Sequence, residues 1–499
     1  MSINISRKGR LFAKIESGTY ADAAVTFAPT DACRHIDVEF THDPFMRVLS
    51  TEKKTSPGGL NFFDRRVTSG WNLKTALLRP SGVLNTIPEC SVFLEASFGQ
   101  KTNITLATTV GIPALVAALA AAGSGLVENG AHEYYYTFVD GTGETKVSAL
   151  ATVTVTDKTT NGKVALSSVS VGPAGVTARK IYRTATGQTG VANAKLLTTL
   201  ADNTTTIFTD NVADASLTTS APLTDTSAIL TDKKTLLLSS VTGLAVNQGI
   251  ACTRAGVIYI RRIKALTGSL VTLDSALPTA AAFADVAKGC ITYQLTTDLA
   301  VSLALFHVQT AIRRLMLGNG ADKLQLSFKA NEEVQLSASG PSQQQLTAAL
   351  PASPGSFTTV GGNPPSCLIG DLWIGDAAYL HKDATFDITN GLVTRNVEAG
   401  NNGLATEVYR SGRRVVTFSL NAFAETEATL YDLAVAGTLT PVVRQVGRTS
   451  GNIIAVCMPS VDFKVPGEDD GDKETTWSFK ATARETADGN NDEAILVLA

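Results

Sequence analysis

Apolar residues recur at every second position in many short runs, including residues 11–15 (LFAKI), 36–40 (IDVEF), 324–328 (LQLSF) and 477–481 (WSFKA). That period puts alternate side chains on opposite faces, as in a strand with one face buried. Two stretches break the alternation. In residues 88–98, Val92, Leu94, Glu95 and Phe98 are spaced for a short helix laid on a sheet, with Gly99 as its stop. In residues 425–436, Leu430, Leu433 and Ala434 share one face, Thr426 is the candidate N-cap and Gly437 lies just past the end.

These elements repeat. Residues 320–330, GADKLQLSFKA, are echoed by residues 471–481, GDKETTWSFKA, with Asp322-Lys323 matching Asp472-Lys473. Upstream, Arg65-Arg66 leads into Trp71-Asn72-Leu73 as Arg413-Arg414 leads into Phe418-Ser419-Leu420. A Gly-rich loop precedes each arginine pair, around Gly58, Gly59 and Leu60 and around Asn401, Asn402, Gly403 and Leu404. The long polar loop of residues 41–64 thus recurs at residues 391–412, and loops of that length usually carry function. The order in both halves is strand, long loop, Arg-Arg strand, helix, strand, turn, SFKA strand, which reads as one β-rich domain duplicated within the chain.

About two hundred residues interrupt the first copy. Residues 131–222 carry strand patterns at 134–138, 147–155, 163–171, 178–183, 196–200 and 205–209, a spacing that suggests an immunoglobulin- or fibronectin-like sandwich. Residues 236–238, 258–260 and 270–274 suggest a second, smaller β-module. The predicted organisation is a first domain at residues 1–110 and 291–341, an inserted sandwich at 111–222, a small module at 223–290, a linker at 342–367 and a second domain at 368–499.

The chain has 499 residues and a formal net charge of −3, which argues against a dedicated nucleic-acid-binding surface. Its six cysteines are scattered with no C-x-x-C, so neither structural zinc nor a disulfide framework is expected. The first residues, MSINISRKGRLFAKI, lack the apolar core of a secretory signal. The most apolar run, residues 110–122, contains Pro113 and falls short of the roughly 20 residues of a bilayer span, so no membrane partner is expected.

No catalytic constellation has the required spacing, and an enzyme is not expected. Glu468, Asp469, Asp470 and Asp472 are the densest acidic cluster. They lack the EF-hand spacing and read as a solvated hairpin turn. Tyr134, Tyr135 and Tyr136 alternate across a strand, so one or two should pack in a core rather than form a sugar-stacking surface. Arg65, Arg66, Arg413 and Arg414 are open to phosphate contacts, but adjacent strand residues point opposite ways. One of each pair is therefore expected to meet a neighbouring chain or an internal carboxylate.

The second copy resembles the phage tail tube protein family. The resemblance lies in the strand at residues 385–388, the loop with Asn402, Gly403 and Leu404, the run RRVVTF from Arg413, and the helix at 425–436. It continues through residues 453–459, residues 463–466, the acidic turn, and WSFKA from Trp477 with Ala483-Arg484. Residues 8–99 with 291–340 look like the major tail protein of long non-contractile tails, and residues 131–222 look like the modules that decorate such tails. The likeness covers most of the chain and rests on order and spacing rather than on one motif.

The resemblance implies a mainly β fold: two tube-type sandwiches, each with a short flanking helix, plus the inserted Ig-like sandwich and the small module. It implies a virion subunit without cofactor, six domains to a ring, and rings stacked into a conduit for DNA. Two domains per chain make a trimeric ring with pseudo-sixfold symmetry. The implied partners are further copies of the chain, with tape measure, tail terminator and distal tail proteins. Loop residues Lys53, Lys54, Gly58, Gly59, Leu60, Asn401, Asn402, Gly403 and Leu404 would reach the adjacent ring, and the four arginines would meet neighbouring subunits. Gln325, Ser327, Lys329, Asp462, Lys464, Thr476, Ser478, Lys480 and Thr482 are the candidates for the lumen. A mildly acidic lumen would repel phosphate, and the lysines there are expected to pair with Asp462 or other acids. The alternatives are a distal-tail or baseplate ring of the same fold, and a surface adhesin that uses the inserted sandwich.

Overall fold

The computed structural model describes residues 9–16, 20–43, 47–49, 62–64, 68–230, 232–298, 301–309, 312–355, 358, 361–395, 404–423, 428–469 and 476–499. The protein is mainly β, with three short α-helices among the described residues, none of them long and apolar enough to cross a membrane. The chain divides into two compact units, Met1–Asn103 with Cys290–Ala499, and Ile104–Gly289.

The first unit is organised around one antiparallel sheet of eight strands. In chain order these are β1 (Asp37–Asp43), β2 (Thr68–Leu77), β3 (Lys323–Lys329), β4 (Gln335–Ser342), β5 (His381–Thr389), β6 (Val415–Phe423), β7 (Ile454–Phe463) and β8 (Thr476–Ala483). Their spatial order is β1-β2-β4-β3-β5-β6-β8-β7. The first four strands and the last four follow the same path, so the sheet holds two copies of one unit joined edge to edge. Between β1 and β2, Arg47–Leu49 pairs with Phe62–Asp64. Between β5 and β6, Leu392–Arg395 pairs with Glu407–Arg410. Each long polar loop is therefore a β-hairpin arm at its base.

A helix follows the second strand of each copy, α1 (Ser91–Phe98) and α2 (Ala428–Ala436). Gly99 (φ 106°) and Gly437 (φ 62°) end them in the left-handed conformation that glycine adopts without strain. The candidate cap Thr426 lies outside the described residues. Each helix presents a ring to a tryptophan of its copy: Phe93 lies 5.6 Å from Trp71, and Tyr431 lies 5.1 Å from Trp477. A second layer, Gly99–Asn103, Ile291–Leu295, Ile495–Leu498, the first half of β7, Thr440–Val446, Gly370–Ile374 and Ala377–Tyr379, faces the eight strands. One continuous core fills the space, with Leu73, Leu324, Leu326, Phe328, Phe386, Phe418, Leu420 and Phe479 from the eight strands and Val442, Val456 and Leu496 from the second layer. Each such side chain contributes roughly 1.5–3 kcal/mol by leaving water.

The two sets of four strands follow one path, but the sequence echo does not fall at equivalent places on it. The echo matches Ser327–Ala330 at the end of β3 to Ser478–Ala481 in β8, whereas β3 occupies the place of β7, and β8 that of β4. Alternation allows short strings to recur on any strand of one buried face, so the letters matched while the positions did not. Part of the expected linker is also structured: β4 runs to Ser342, and Gln344–Leu346 pairs with Arg313–Asn319.

The second unit contains the expected two-sheet sandwich. Four strands (Ala151–Val155, Gly130–Val139, Ala178–Thr184, Ala194–Leu200) oppose three (Phe208–Asp210, Val164–Ser167, Val116–Leu119). A six-stranded sheet accompanies it, with Ala107–Thr109 as its edge beside Val286–Gly289. That pairing moves the first domain's boundary from 110 back to Asn103. Tyr134, Tyr135 and Tyr136 are all buried, more than alternation allowed, because Tyr135 packs with Tyr182 and Ala194 in a separate small cluster. No ring of the three is left for stacking on sugar.

The insertion enters and leaves between two neighbours: Asn103 lies opposite Ile291 in the register of their strands. Replacing residues 104–290 by an Asn-Gly turn should therefore leave the first unit folded. Circular dichroism should show a β-rich spectrum and a cooperative melt; a non-cooperative melt would contradict this division of the chain.

Candidate functional site

The eight-stranded sheet has a buried apolar face and a polar face. Gln325, Ser327, Lys329, Ser478, Lys480, Thr482, Thr476 and Asp462 all lie at polar-face positions of β3, β8 and β7, and Lys464 continues that alternation just past the end of β7. The structure thus brings together the nine residues singled out from the sequence. It adds Asp37, Glu39, Asn72, Lys74, Asp383, Thr385, Asp387, Ser419 and Asn421 on the neighbouring strands. Sequence reasoning missed these because strand order is invisible in a linear pattern. One signal was available: Asp37-x-x-Phe40 and Asp383-x-x-Phe386 open equivalent strands with an acid on one face and a core ring on the other.

Charges on this face nearly balance rather than leaving it clearly acidic. Lys74 bridges Glu39 at 2.9 Å and Asp37 at 3.6 Å. Asp383 stands opposite Lys329 in register and accepts from Asn421 at 2.5 Å. Gln325 donates to Asp387 at 2.6 Å, yet burial still raises the Asp387 carboxyl above the usual carboxylate range. Asp462 pairs with Arg484, not with a lysine. Lys480 lies across from Ser419, and no ion pair is formed by it among the described residues. Its charge stays available on the face.

The two ends of the sheet are unpaired. β1 bonds only to β2, and Asp462, Phe463 and Gly467–Asp469 bond to β8 on one side with no strand beyond among the described residues. Inside the sheet the equivalent edges are joined: β3 pairs with β5 from Lys323↔Thr389 to Lys329↔Asp383. Asn390, fully buried, locks this seam by donating to the carbonyls of Ser97 and Ala321, each at 3.0 Å, and Phe98 stacks on Phe386 with centroids 6.4 Å apart.

The arginine pair before β6 divides as expected. Arg414 is nearly buried and makes a forked contact with Glu493, at 2.6 and 2.8 Å, while Arg413 is exposed. A cavity of about 780 Å³ lies beside them, also lined by Arg410 and Arg484. Arg410 is held by neutral acceptors, the Asn390 carbonyl at 3.0 Å and its side-chain oxygen at 3.1 Å. Leu404 is half-buried at the base of its arm. Lys53, Lys54, Gly58, Gly59, Leu60, Arg65, Arg66, Asn401, Asn402 and Gly403 lie outside the described residues. So does most of the acidic turn, of which Gly467–Asp469 is a short strand on β8. The described residues form no cluster able to hold a metal ion.

Two histidines are held neutral by burial. His307, edge-on to His35 at 5.6 Å, is lowered to about 4 by desolvation, then by His35 and Arg314. His381, at the start of β5, is lowered to about 4 by desolvation and then by Arg444. No known protein family matches the chain, and no curated protein matches it either.

The histidines set an acid limit. Their folded pKa lies below the unfolded value near 6.5, so the unfolded chain binds more protons between about pH 6.5 and 4. Stability is full above that window and is lost as pH falls through it. Thermal melts from pH 7 to 4 should show the decline, and His307→Gln and His381→Gln should each make it shallower. Separately, Arg414→Met should cost roughly 3 kcal/mol by stranding Glu493, whereas Arg413→Ala should change stability by no more than about 0.5 kcal/mol. Denaturant titration distinguishes the two.

Proposed function

We propose that the chain is a structural subunit of a phage tail tube, three copies closing into a pseudo-sixfold ring and rings stacking into a hollow conduit for DNA. The observation that carries this reading is the seam between β3 and β5. It joins one copy's edge to the next in register, and edges remain open at β1 and along Asp462, Phe463 and Gly467–Asp469 beside β8. Exposed sheet edges invite pairing with another chain. Repeating the β3–β5 junction between chains satisfies them, and a head-to-tail contact of this kind closes a ring when the rotation allows.

The dimensions are consistent with a conduit. Three such sheets at about 4.8 Å per strand, tilted roughly 40°, give a barrel with a backbone diameter of roughly 48 Å, wider than a DNA duplex plus lining side chains. The polar face would line that channel. Its near-balanced charges and hydroxyl and amide groups give DNA little to grip, since tight binding needs a surplus of lysine and arginine contacts to phosphate. The hairpin arms leave the sheet at one rim and would supply contacts between rings.

Electron microscopy of the purified protein tests the assignment. Rings three chains in mass, from a 52.2 kDa chain, with pseudo-sixfold projections and a tendency to stack, are the expected result. A monodisperse monomer at every concentration, or a ring of six chains, would overturn it.

A further inference from the structure

Two cysteines of the first unit, 57 positions apart in the chain, meet in its core. Cys33 closes the two-residue strand Ala32–Cys33, and Cys90 occupies the N-cap position of α1. Both are buried, and their Sγ atoms lie 3.1 Å apart. Non-bonded carbon atoms settle at roughly 3.5–4.0 Å, and sulfur is larger. The two sulfurs are thus closer than ordinary packing brings them, and about 1 Å short of a disulfide bond.

The neighbouring residues fix the backbone on each side. Arg34, next to Cys33, makes a forked contact with Glu89, next to Cys90: Nε donates to Oε2 at 2.8 Å, and Nη2 donates to Oε1. Cys33 and Ala32 pair with Leu11 and Phe12, and at the start of α1 Ser91 Oγ accepts from the Tyr293 hydroxyl at 2.7 Å. Residue 33 therefore faces 90 and residue 34 faces 89, so more than the sulfur contact itself holds the pair together.

A bond at this point would close a loop over residues 34–89, which contains β1 and β2. β1 bonds to β2 alone, whereas its counterpart β5 is held by β3 and β6 on both sides. The second copy has no cysteine between Leu368 and Val456. The cysteine pair thus sits in the copy whose edge strand lacks a second neighbour. We propose that Cys33 and Cys90 join in an intramolecular disulfide when the protein meets an oxidising medium, fastening the segment that leads into β1 to the start of α1. The proposal stands whether or not the chain builds a tube.

The chemistry is thiol–disulfide exchange with a small disulfide such as glutathione disulfide. One cysteine gives up its proton and attacks a sulfur of the reagent, and the departing glutathione thiolate takes up a proton. The other cysteine then gives up its proton, attacks the protein sulfur of the mixed disulfide, and releases the second glutathione as a thiol. Two protein thiols are oxidised and one disulfide is reduced to two thiols. Hydrogen bonding to Cys90, and then burial, push the Cys33 thiol well up, which disfavours the attacking thiolate in the closed structure. Exchange therefore waits on local opening of Ala32–Cys33, a two-residue strand at the end of its sheet. The pair is a slowly closing clamp rather than a fast sensor.

The test uses the full chain purified under reductant, then incubated in mildly alkaline buffer with glutathione disulfide or with dithiothreitol. Titratable thiols, counted after unfolding, should fall from six to four under oxidation. Peptide mass spectrometry should place the bond between Cys33 and Cys90. The oxidised chain should melt at least about 5 °C above the reduced one. Cys90→Ser should form no intramolecular bond and show no such rise, and peptide mapping of the parent is independent of how well that variant folds. Six thiols after oxidation, glutathione adducts without a cross-link, or a bond between other cysteines would overturn the proposal.

Discussion

The antiparallel pairing of β3 with β5 is the constraint on which the rest of the first unit depends. It turns two copies of a four-stranded motif into one sheet, with no hinge between them. Around it, Asn390 ties the base of an arm to the end of α1 and to the approach to β3, and Phe98 of the first copy stacks on Phe386 of the second. A side chain from either copy is thus fixed relative to the other by backbone hydrogen bonds and core packing together. If either copy shifted by one residue, every core side chain at the seam would turn to the polar face.

Much of the fold was legible in the sequence because it rests on local signals. The alternation in residues 11–15 and 36–40 is strand in the structure, and Gly99 and Gly437 end helices. The nine polar-face residues share one face because side-chain alternation is a property of the strand itself. What failed depended on pairing partners. The SFKA echo assigned β3 and β8 to equivalent places although the sheet order puts β7 and β4 there. Ala107–Thr109 went to the wrong domain because its partner, Val286–Gly289, lies far along the chain. Arg444 was passed over inside the apolar run PVVRQV, since only three-dimensional neighbours reveal that it is buried over the ring of Phe328.

In the proposed tube, the polar face would line the channel and the sheet ends would make the joints. Open edges are a liability in a free chain and an asset in an assembling one. The duplicated motif leaves one pair of edges per chain instead of one per copy. In the proposed ring, half of the seams would be built covalently into each chain, and every second junction would form without an entropic cost of association.

The strand Ile495–Leu498 has a temporal consequence. It bonds to Ile291–Leu295 on one side and to β7 on the other, so it bridges the halves of the second layer. The ribosome delivers it after all the other strands of that unit. Until it emerges, Ile291 and Ile454 lack their shared neighbour, and the nascent polypeptide cannot complete the layer that covers the eight-stranded sheet. The order of synthesis thereby delays closure of that core until the last of these strands is made.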